Sequence, residues 1–420
     1  MSINKETHDY FDVAVVGGGP AGMMAAGRVA ELGKKVVLIE KNKVLGKKLL
    51  ITGKGRCNLT NATFDMKEFI DKLGKKGKFL FSSLSEFGPS EIIDFFEKKG
   101  VKTKIERGKR VFPVSDRSKD VLDTLVDYLK QNNASIILGE KIVDFKVKNK
   151  KIEYVELKNR KIYADSFIFS TGGKSYPATG STGDGYNFAQ KMGHKLVNTF
   201  PALVPLKTRE SWTKGLQGLS LKNARATVFV GGKKQDSRFG EMLFTHFGVS
   251  GPIILDLSKK VVELLKKGEV TIQIDLKPAL DYPTLDKRLQ KDFETNVNKD
   301  FINYLPDLLP RKMIDLAVQM SGIDPHKKLG TISREERKKL LHFLKELTVT
   351  VSEPMGYEIA VITSGGVDLK EVDPRTMRSK IISNLFFAGE ILDLDGPTGG
   401  FNLQICWSTG YAAGEAAGYK

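Results

Sequence analysis

The chain has 420 residues, 40% of them apolar, and its 67 Lys and Arg outnumber 50 Asp and Glu to give a net charge of +17. That length exceeds one ordinary core and predicts two or three domains, while the balanced composition excludes a fibrous, low-complexity or disordered protein. Two cysteines, Cys57 and Cys406, with no C-x-x-C support neither a disulfide framework nor a thiol–disulfide reductase, and no apolar run approaches a membrane span.

The first ten residues, MSINKETHDY, are polar and carry no signal-peptide core, so the expected location is the cytoplasm. The Val-rich run Phe11–Val16 then reads as a strand buried on both faces of a parallel sheet. Gly17, Gly19 and Gly22 follow at G-x-G-x-x-G spacing, with Pro20 and Ala21 opening a small-residue helix over 21–32. In such a turn the first glycine permits the bend, the second lets backbone approach a pyrophosphate and the third allows close helix packing. The helix N-terminus aims free N–H groups and the positive end of its dipole at the phosphates. A second strand, Lys35–Ile39, ends in Glu40, placed to hydrogen-bond ribose hydroxyls. An acid there selects against a 2′-phosphate and leaves FAD or NAD.

Lysines are dense at 41, 43, 47, 48 and 54, and again at 72, 75, 76 and 78. They supply a basic face for nucleic acid or anionic metabolites, or a positive field around a diphosphate. With no basic tail and no RNA-binding module, nucleic acid is not expected. Helices are predicted near Ser90–Lys99 and Lys119–Asn132, and Ser135–Leu138 and residues 141–155 read as strands of a small antiparallel layer. A buried strand over Ile162–Ser170 stops at Thr171-Gly172-Gly173. Signals are strand-like from Phe200 to about Pro278, with a hairpin turn at Gly231-Gly232, helical and charged from Tyr282 to Leu347, then strand-like again to Phe387. The chain closes with Gly389-Glu390, Gly399-Gly400-Phe401-Asn402-Leu403 and an Ala-rich helix.

The stretch Gly46-Lys47-Lys48-Leu49-Leu50-Ile51-Thr52-Gly53-Lys54-Gly55-Arg56-Cys57-Asn58-Leu59-Thr60-Asn61 resembles the signature of a bacterial flavoprotein family usually labelled NAD(P)/FAD-dependent oxidoreductase. That family includes aminoacetone oxidase and a bile-acid 3-dehydro-Δ4,6-reductase. Further matches are Arg110-Val111-Phe112-Pro113, Gly180–Tyr186, Leu243–Pro252, Thr363–Val367 and Ala388–Gln404, so the resemblance runs end to end. It implies an α/β protein with a discontinuous Rossmann-like FAD-binding domain of the glutathione-reductase kind, an inserted β-rich domain and a small helical domain. The expected boundaries are 1–195 for the first part of the FAD domain, 196–278 for the β-rich insert, 279–347 for the helical insert and 348–420 for the return.

Within that plan, Thr52 and Gly53 offer a hydroxyl and N–H groups near the diphosphate and isoalloxazine, Lys47 and Lys48 offset phosphate charge, and Lys41 is a further cofactor-binding residue. Arg56 and Asn58 face the flavin or its ribityl chain, and Cys57 beside them reads as a small packing residue. The resemblance puts Ile142 at the adenine, Thr171-Gly172-Gly173 beneath the diphosphate, and Asp184 on a loop that holds FAD, although Asp184 also suits a helix cap. Gly389 and Glu390 meet the ribityl region, and the helix opening at Gly400 points its positive end at the pyrimidine edge, where reduced flavin carries negative charge. Phe401 stands where this family often has Tyr or Trp. Arg110, Thr245 and His246 are the candidates for the open flavin face, with His246 suited to give a proton, although a structural histidine is equally compatible.

No second complete G-x-G-x-x-G appears, so NAD(P)H would dock transiently as donor, and the five histidines show no metal-ligand spacing. The expected activity is that of a FAD-dependent oxidoreductase moving hydride between a small-molecule substrate and flavin N5, with O2 or NAD(P)H as redox partner. Two alternatives are a flavin-dependent RNA-associated protein, suggested by charge, and a non-catalytic flavin-binding regulator. The sequence names no catalytic residue, membrane contact or oligomeric state.

Overall fold

A computed structural model describes residues 8–419; residues 1–7, which carry most of the polar opening segment, and residue 420 lie outside the described residues. The chain forms two compact units, one from residues up to 201 together with those from 360 onward, the other from 202–359.

The first unit is Rossmann-type α/β. Its seven-stranded sheet runs in the order Ser135–Leu138, Val36–Glu40, His8–Val16, Lys161–Phe169, Lys151–Glu156, Asp144–Lys148, and Leu385–Phe387 pairs with the far end of Lys161–Phe169. The strands around His8–Val16 are parallel, with Val13 opposite Val36 and Val16 opposite both Ile39 and Phe169. Val13, Ala14 and Val15 are fully buried, as a central strand covered on both faces requires. Ser135–Leu138 joins this parallel sheet beside Val37–Glu40 rather than the antiparallel layer expected from sequence. The helix Ser118–Gln131 returns the chain to the parallel edge, whereas Asp144–Lys148 and Lys151–Glu156 pair antiparallel with each other, and Lys151–Glu156 pairs antiparallel with Lys161–Phe169.

The first helix, Pro20–Glu31, packs against the closing helix, Phe401–Gly418, with almost no side chain between them. A Cβ on Gly410 would lie 2.4 Å from the Ala21 carbonyl oxygen, and one on Gly414 would lie 2.6 Å from that of Ala25. Two backbones at that separation explain the small-residue composition of both helices. Strands Leu196–Ala202 and Ile362–Val367 pair with each other where the chain leaves and re-enters this unit.

The second unit has its own core, built on a closed six-stranded barrel in the order Leu206–Thr208, Gly248–Ser250, Lys233–Thr245, Ser220–Val230, Val270–Asp275, Leu347–Pro354. Gly231 and Gly232 form the two-residue hairpin loop, both at positive φ, as a type I′ turn requires. Residues 252–265, inside the stretch read as strand-like, are a helix. Ile253, Ile254, Leu257, Val261 and Leu264 are buried at helical spacing, and Pro252 suits its first turn. Helices Tyr282–Thr295, Phe301–Leu308, Ile314–Ser321 and Arg334–Glu346 follow, and the chain then returns to close the barrel. Lys345, 7% exposed, is satisfied by Asp275 at 2.6 Å and by the carbonyls of Lys277 and Leu280.

In the first unit, buried His194 gives stability a pH dependence. Its Nδ1–H donates to the Ala189 carbonyl at 3.2 Å, so Nε2 accepts from the Ser379 hydroxyl at 2.7 Å. Ser379 Oγ already accepts from the N–H groups of Ile381 and Ile382, so a proton on Nε2 would find no acceptor. Burial lowers the imidazole pKa, against smaller opposing effects of Ala189 and Glu371. Since the unfolded chain then binds the proton more readily, this contribution is complete above about pH 6.5 and is lost as pH falls through that value toward the lowered one. Thermal melts of wild type and His194→Gln between about pH 8 and pH 5 check this: wild type is expected to lose melting temperature more steeply on acidification, and parallel curves would refute it.

Candidate functional site

The opening turn of the first unit is built by missing side chains. Gly17, at φ +106°, lies so near the next strand that a Cβ would sit 2.5 Å from the Ser170 carbonyl oxygen, and a Cβ on Gly22 would sit 1.9 Å from that of Gly17. The Ser170 hydroxyl bridges the same joint, reaching the carbonyls of Val16 and Gly17 at 3.0 Å. Gly19 differs, since a Cβ there would meet nothing within 4 Å. It caps a helix that has no side-chain cap and begins with Pro20, so its first-turn N–H groups and positive dipole end open outward.

They open into a cleft of about 930 Å³, counting its mouth. Of the residues singled out from sequence, Gly17, Gly19, Pro20, Ala21, Glu40, Lys41, Gly46, Lys47, Lys48, Ile142, Thr171, Gly172, Asp184, Gly389 and Glu390 line it. Gly22 and Gly173 lie behind the wall, the latter against Thr363, where a Cβ would stand 2.4 Å from the hydroxyl. Sequence reasoning missed Gly18, Asn42, Lys141, Ser170, Ser181 and Cys406, which also line the cleft. Asn42, two residues beyond the strand-ending acid, reads in sequence as an ordinary loop residue.

Glu40 is 8% exposed and oriented on both oxygens. Oε2 accepts from the Gly18 N–H at 2.7 Å, and Oε1 from the backbone and side-chain nitrogens of Asn42 at 2.7 and 2.8 Å. Lys41 bonds Thr182 at 2.5 Å and Asp184 at 2.7 Å. Burial pushes the Asp184 carboxyl up, but the bond and charge of Lys41, with help from Thr182 and Lys141, hold it below its ordinary value. Lys47 donates to the Ala178 carbonyl at 2.7 Å, and Lys48 to Glu390 at 2.8 Å and Ser175 at 3.1 Å. Glu390 also accepts from Ser175 and the Thr363 N–H, which locks it into the wall. The lysines expected to meet phosphate are therefore seated on protein acceptors at the cleft's edge. The Thr171 hydroxyl is buried with no hydrogen-bond partner. Cys406 has its thiol pushed up to about 12 by desolvation, so it is no thiolate.

The remaining candidates of this unit form a second cluster. A Cβ on Gly400, at φ +103°, would sit 2.2 Å from the Thr60 carbonyl oxygen. Asn58, with its amide oriented to its neighbours, donates to Val111 and Thr60 at 3.1 Å and accepts from the Gly400 N–H at 2.9 Å. Asn61 donates to the Gly399 carbonyl at 2.9 Å, and Asn402 ties down Gly396 and Pro397. Phe401 is buried against Phe69, at 4.7 Å between ring centroids, and Leu403 packs at the core's edge. Gly53 is at φ +56°, and the Thr52 hydroxyl donates to the Leu49 carbonyl at 2.7 Å. Arg56 lies 4.1 Å over the Phe112 ring and pairs with Glu106 and Asp116, and Arg110 donates to the Arg107 carbonyl at 2.9 Å. Cys57 is fully buried, its thiol pushed up to about 12 by burial against a smaller opposing bond from Thr52. Asn58 and Asn402 act on the protein itself, bracing the start of the closing helix. Thr245 and exposed His246 belong to the other unit, on the strand Lys233–Thr245 and the turn after it. The Thr245 hydroxyl is buried without a partner. Among the described residues no group of three or more His, Cys, Asp or Glu is arranged to hold a metal, and no helix is long and apolar enough to cross a membrane.

A cleft with bare backbone at Gly19, a helix N-terminus and an oriented acid fits a dinucleotide. Gly19→Val is expected to lower the stability of the nucleotide-free protein by no more than about 1 kcal/mol, Val being a poorer helix cap than Gly, while weakening dinucleotide binding about tenfold or more by blocking backbone approach. Gly22→Ala is expected to cost about 1–3 kcal/mol by forcing the turn apart. Urea denaturation and flavin-fluorescence titration separate the two effects.

A family model described as HI0933-like protein Rossmann domain matches residues 11–416. The chain is 31% identical over 412 residues to the 3-dehydro-bile acid Δ(4,6)-reductase of Clostridium scindens, covering 96% of this chain and 98% of that protein. It is 29% identical over 408 residues to the ribosomal RNA dihydrouridine synthase of Escherichia coli, covering 97% and 98%. Among solved structures, 3-ketosteroid Δ1-dehydrogenase from Sterolibacterium denitrificans superposes with a TM-score of 0.55 at 12% identity, covering 98% of this chain and 100% of that one, a likeness of fold. The chain belongs to the HI0933-like Rossmann family and is an oxidoreductase.

Proposed function

We propose that the cleft binds FAD and that the protein reduces a carbon–carbon double bond conjugated to a carbonyl in a small molecule, with NAD(P)H as electron donor and O2 as a competing acceptor. The observation that carries the reading is the cleft itself: a bare Gly19, an uncapped helix start and an oriented Glu40 converge on one groove. Bound there, FAD supplies a carrier whose N5 takes up or delivers hydride.

The chain's residues bind and tune. The first-turn N–H groups and the positive end of Pro20–Glu31 receive the diphosphate, and Glu40 receives ribose. The closing helix opens at Gly400 without a side-chain cap, so its N-terminus stabilises negative charge at its mouth by about 1 kcal/mol. The double-bond assignment is supported by the two relatives' names, one a Δ(4,6)-reductase and the other a dihydrouridine synthase. A Δ4 bond beside a 3-keto group and the 5,6-bond of uridine are each conjugated to a carbonyl, so one hydride chemistry serves both.

A second reading, with RNA as the substrate, is favoured by the net charge of +17 and by the dihydrouridine synthase relative. Its signature is binding that falls steeply with salt.

The test is an anaerobic visible spectrum of the purified protein during titration with NADH and NADPH. Flavin absorbance is expected to bleach with one nucleotide and to recover on anaerobic addition of a 4-en-3-one steroid as probe. Recovery with ribosomal RNA and not with the enone would select the second reading. A flavin indifferent to both nucleotides would refute the donor assignment, and failure to take up FAD would refute the whole reading.

A further inference from the structure

We propose that Asn42 is a positioning residue that fixes the Glu40 carboxylate for ribose and so sets the selectivity of the cleft for the 2′-hydroxyl. The proposal rests on the reading of the cleft as a dinucleotide site.

Both amide hydrogens of Asn42 are used. One goes to Glu40 Oε1 at 2.8 Å, and the other to the Thr179 carbonyl at 3.0 Å, on a segment that also lines the cleft. The Asn42 backbone N–H adds a second bond to Oε1 at 2.7 Å. A carboxylate has about four lone-pair sites, two on each oxygen. Asn42 fills both on Oε1, Gly18 fills one on Oε2, and the site left over is on Oε2. The carboxylate is thus held with one acceptor direction free, the number needed for a single hydroxyl.

The backbone has been cleared for this arrangement on two sides. A Cβ on Gly180, itself at φ +106°, would lie 2.4 Å from Asn42 Nδ2. A Cβ on Gly18 would lie 3.1 Å from Glu40 Oε2 and 2.4 Å from Leu45. Neither glycine belongs to the G-x-G-x-x-G spacing, and each leaves room for one end of the Asn42–Glu40–Gly18 chain of bonds. Without the amide, the carboxylate keeps its acceptor capacity but loses its fixed direction, and it must be ordered when ribose arrives.

The experiment compares ADP and 2′-deoxy-ADP as competitors of FAD on the full-length protein stripped of nucleotide, in wild type, Asn42→Ala, Asn42→Leu and Glu40→Gln. The readout is the ratio of the two affinities on one sample, which does not depend on how much of a variant is folded. Wild type is expected to prefer ADP by about tenfold or more, Glu40→Gln to remove the preference, and both Asn42 variants to reduce it about fivefold with little change in affinity for 2′-deoxy-ADP. A merely structural Asn42 would weaken both ligands alike and leave the ratio at its wild-type value, which would overturn the proposal. A wild-type protein that binds ADP without preference would overturn it as well. A protein that binds neither FAD nor ADP would instead refute the dinucleotide reading.

Discussion

Everything in the first unit depends on how closely backbone can approach backbone around Gly17, Gly22 and Ser170. The Gly17 turn leans on the strand ending at Phe169, the first helix leans on the Gly17 turn, and the closing helix leans on the first through Gly410 and Gly414. Each contact leaves no room for a methyl group, so the sheet, the turn and both helices are fixed as one object. Protein interiors pack at the density of organic crystals, so such contacts transmit strain instead of absorbing it. The cleft inherits that rigidity. Its outward-pointing N–H groups are aimed by a helix that has no freedom to rotate.

Charge is handled differently in the cleft and outside it. At the edges, Lys41, Lys47 and Lys48 are each seated on a protein acceptor, and Glu40 and Glu390 are each held by several donors. Polar groups held this way present fixed dipoles and need little reorganisation to meet a charged ligand. The excess of lysine that gives +17 is a property of the whole chain. It raises the local concentration of anions over distances of about 8 to 10 Å at ordinary salt. It carries no positional information, which is why charge alone could not choose between a small anion and RNA.

Much of the sheet was legible because burial on both faces writes itself as a continuous apolar run, as in Val13–Val16 and Val36–Ile39. The glycine turn was legible because its spacing reflects three separate steric demands. Ser135–Leu138 was not, since four apolar residues fit a parallel edge or an antiparallel layer equally well, and only the preceding helix decides. The helix 252–265 was hidden inside a strand-rich stretch, where Val and Ile weighed more than the helical spacing of Leu257, Val261 and Leu264. Of the site, the backbone contributors were read and the supports were not. Asn42 and Gly18 act by geometry around Glu40, and an asparagine two residues past a strand looks like any loop residue. Asn58 and Asn402 sit in motifs that suggest ligand contact, yet their amides are consumed in bracing backbone, which no spacing reveals.

The path of the chain has a consequence for how the protein is made. The barrel unit is spliced into the first unit between residues 201 and 360, and the cleft wall at Gly389 and Glu390, like the closing helix that packs on Ala21, lies beyond the splice. On the ribosome the barrel unit emerges whole while the first unit is still missing the strands Ile362–Val367 and Leu385–Phe387 and the helix Phe401–Gly418, so the later-starting unit is the first able to finish folding. Until residues 389–418 leave the exit tunnel, the first helix has a bare small-residue face and the groove has one side open. The groove is therefore completed only by chain beyond residue 388, and a chain stopped before it lacks that wall and the closing helix together.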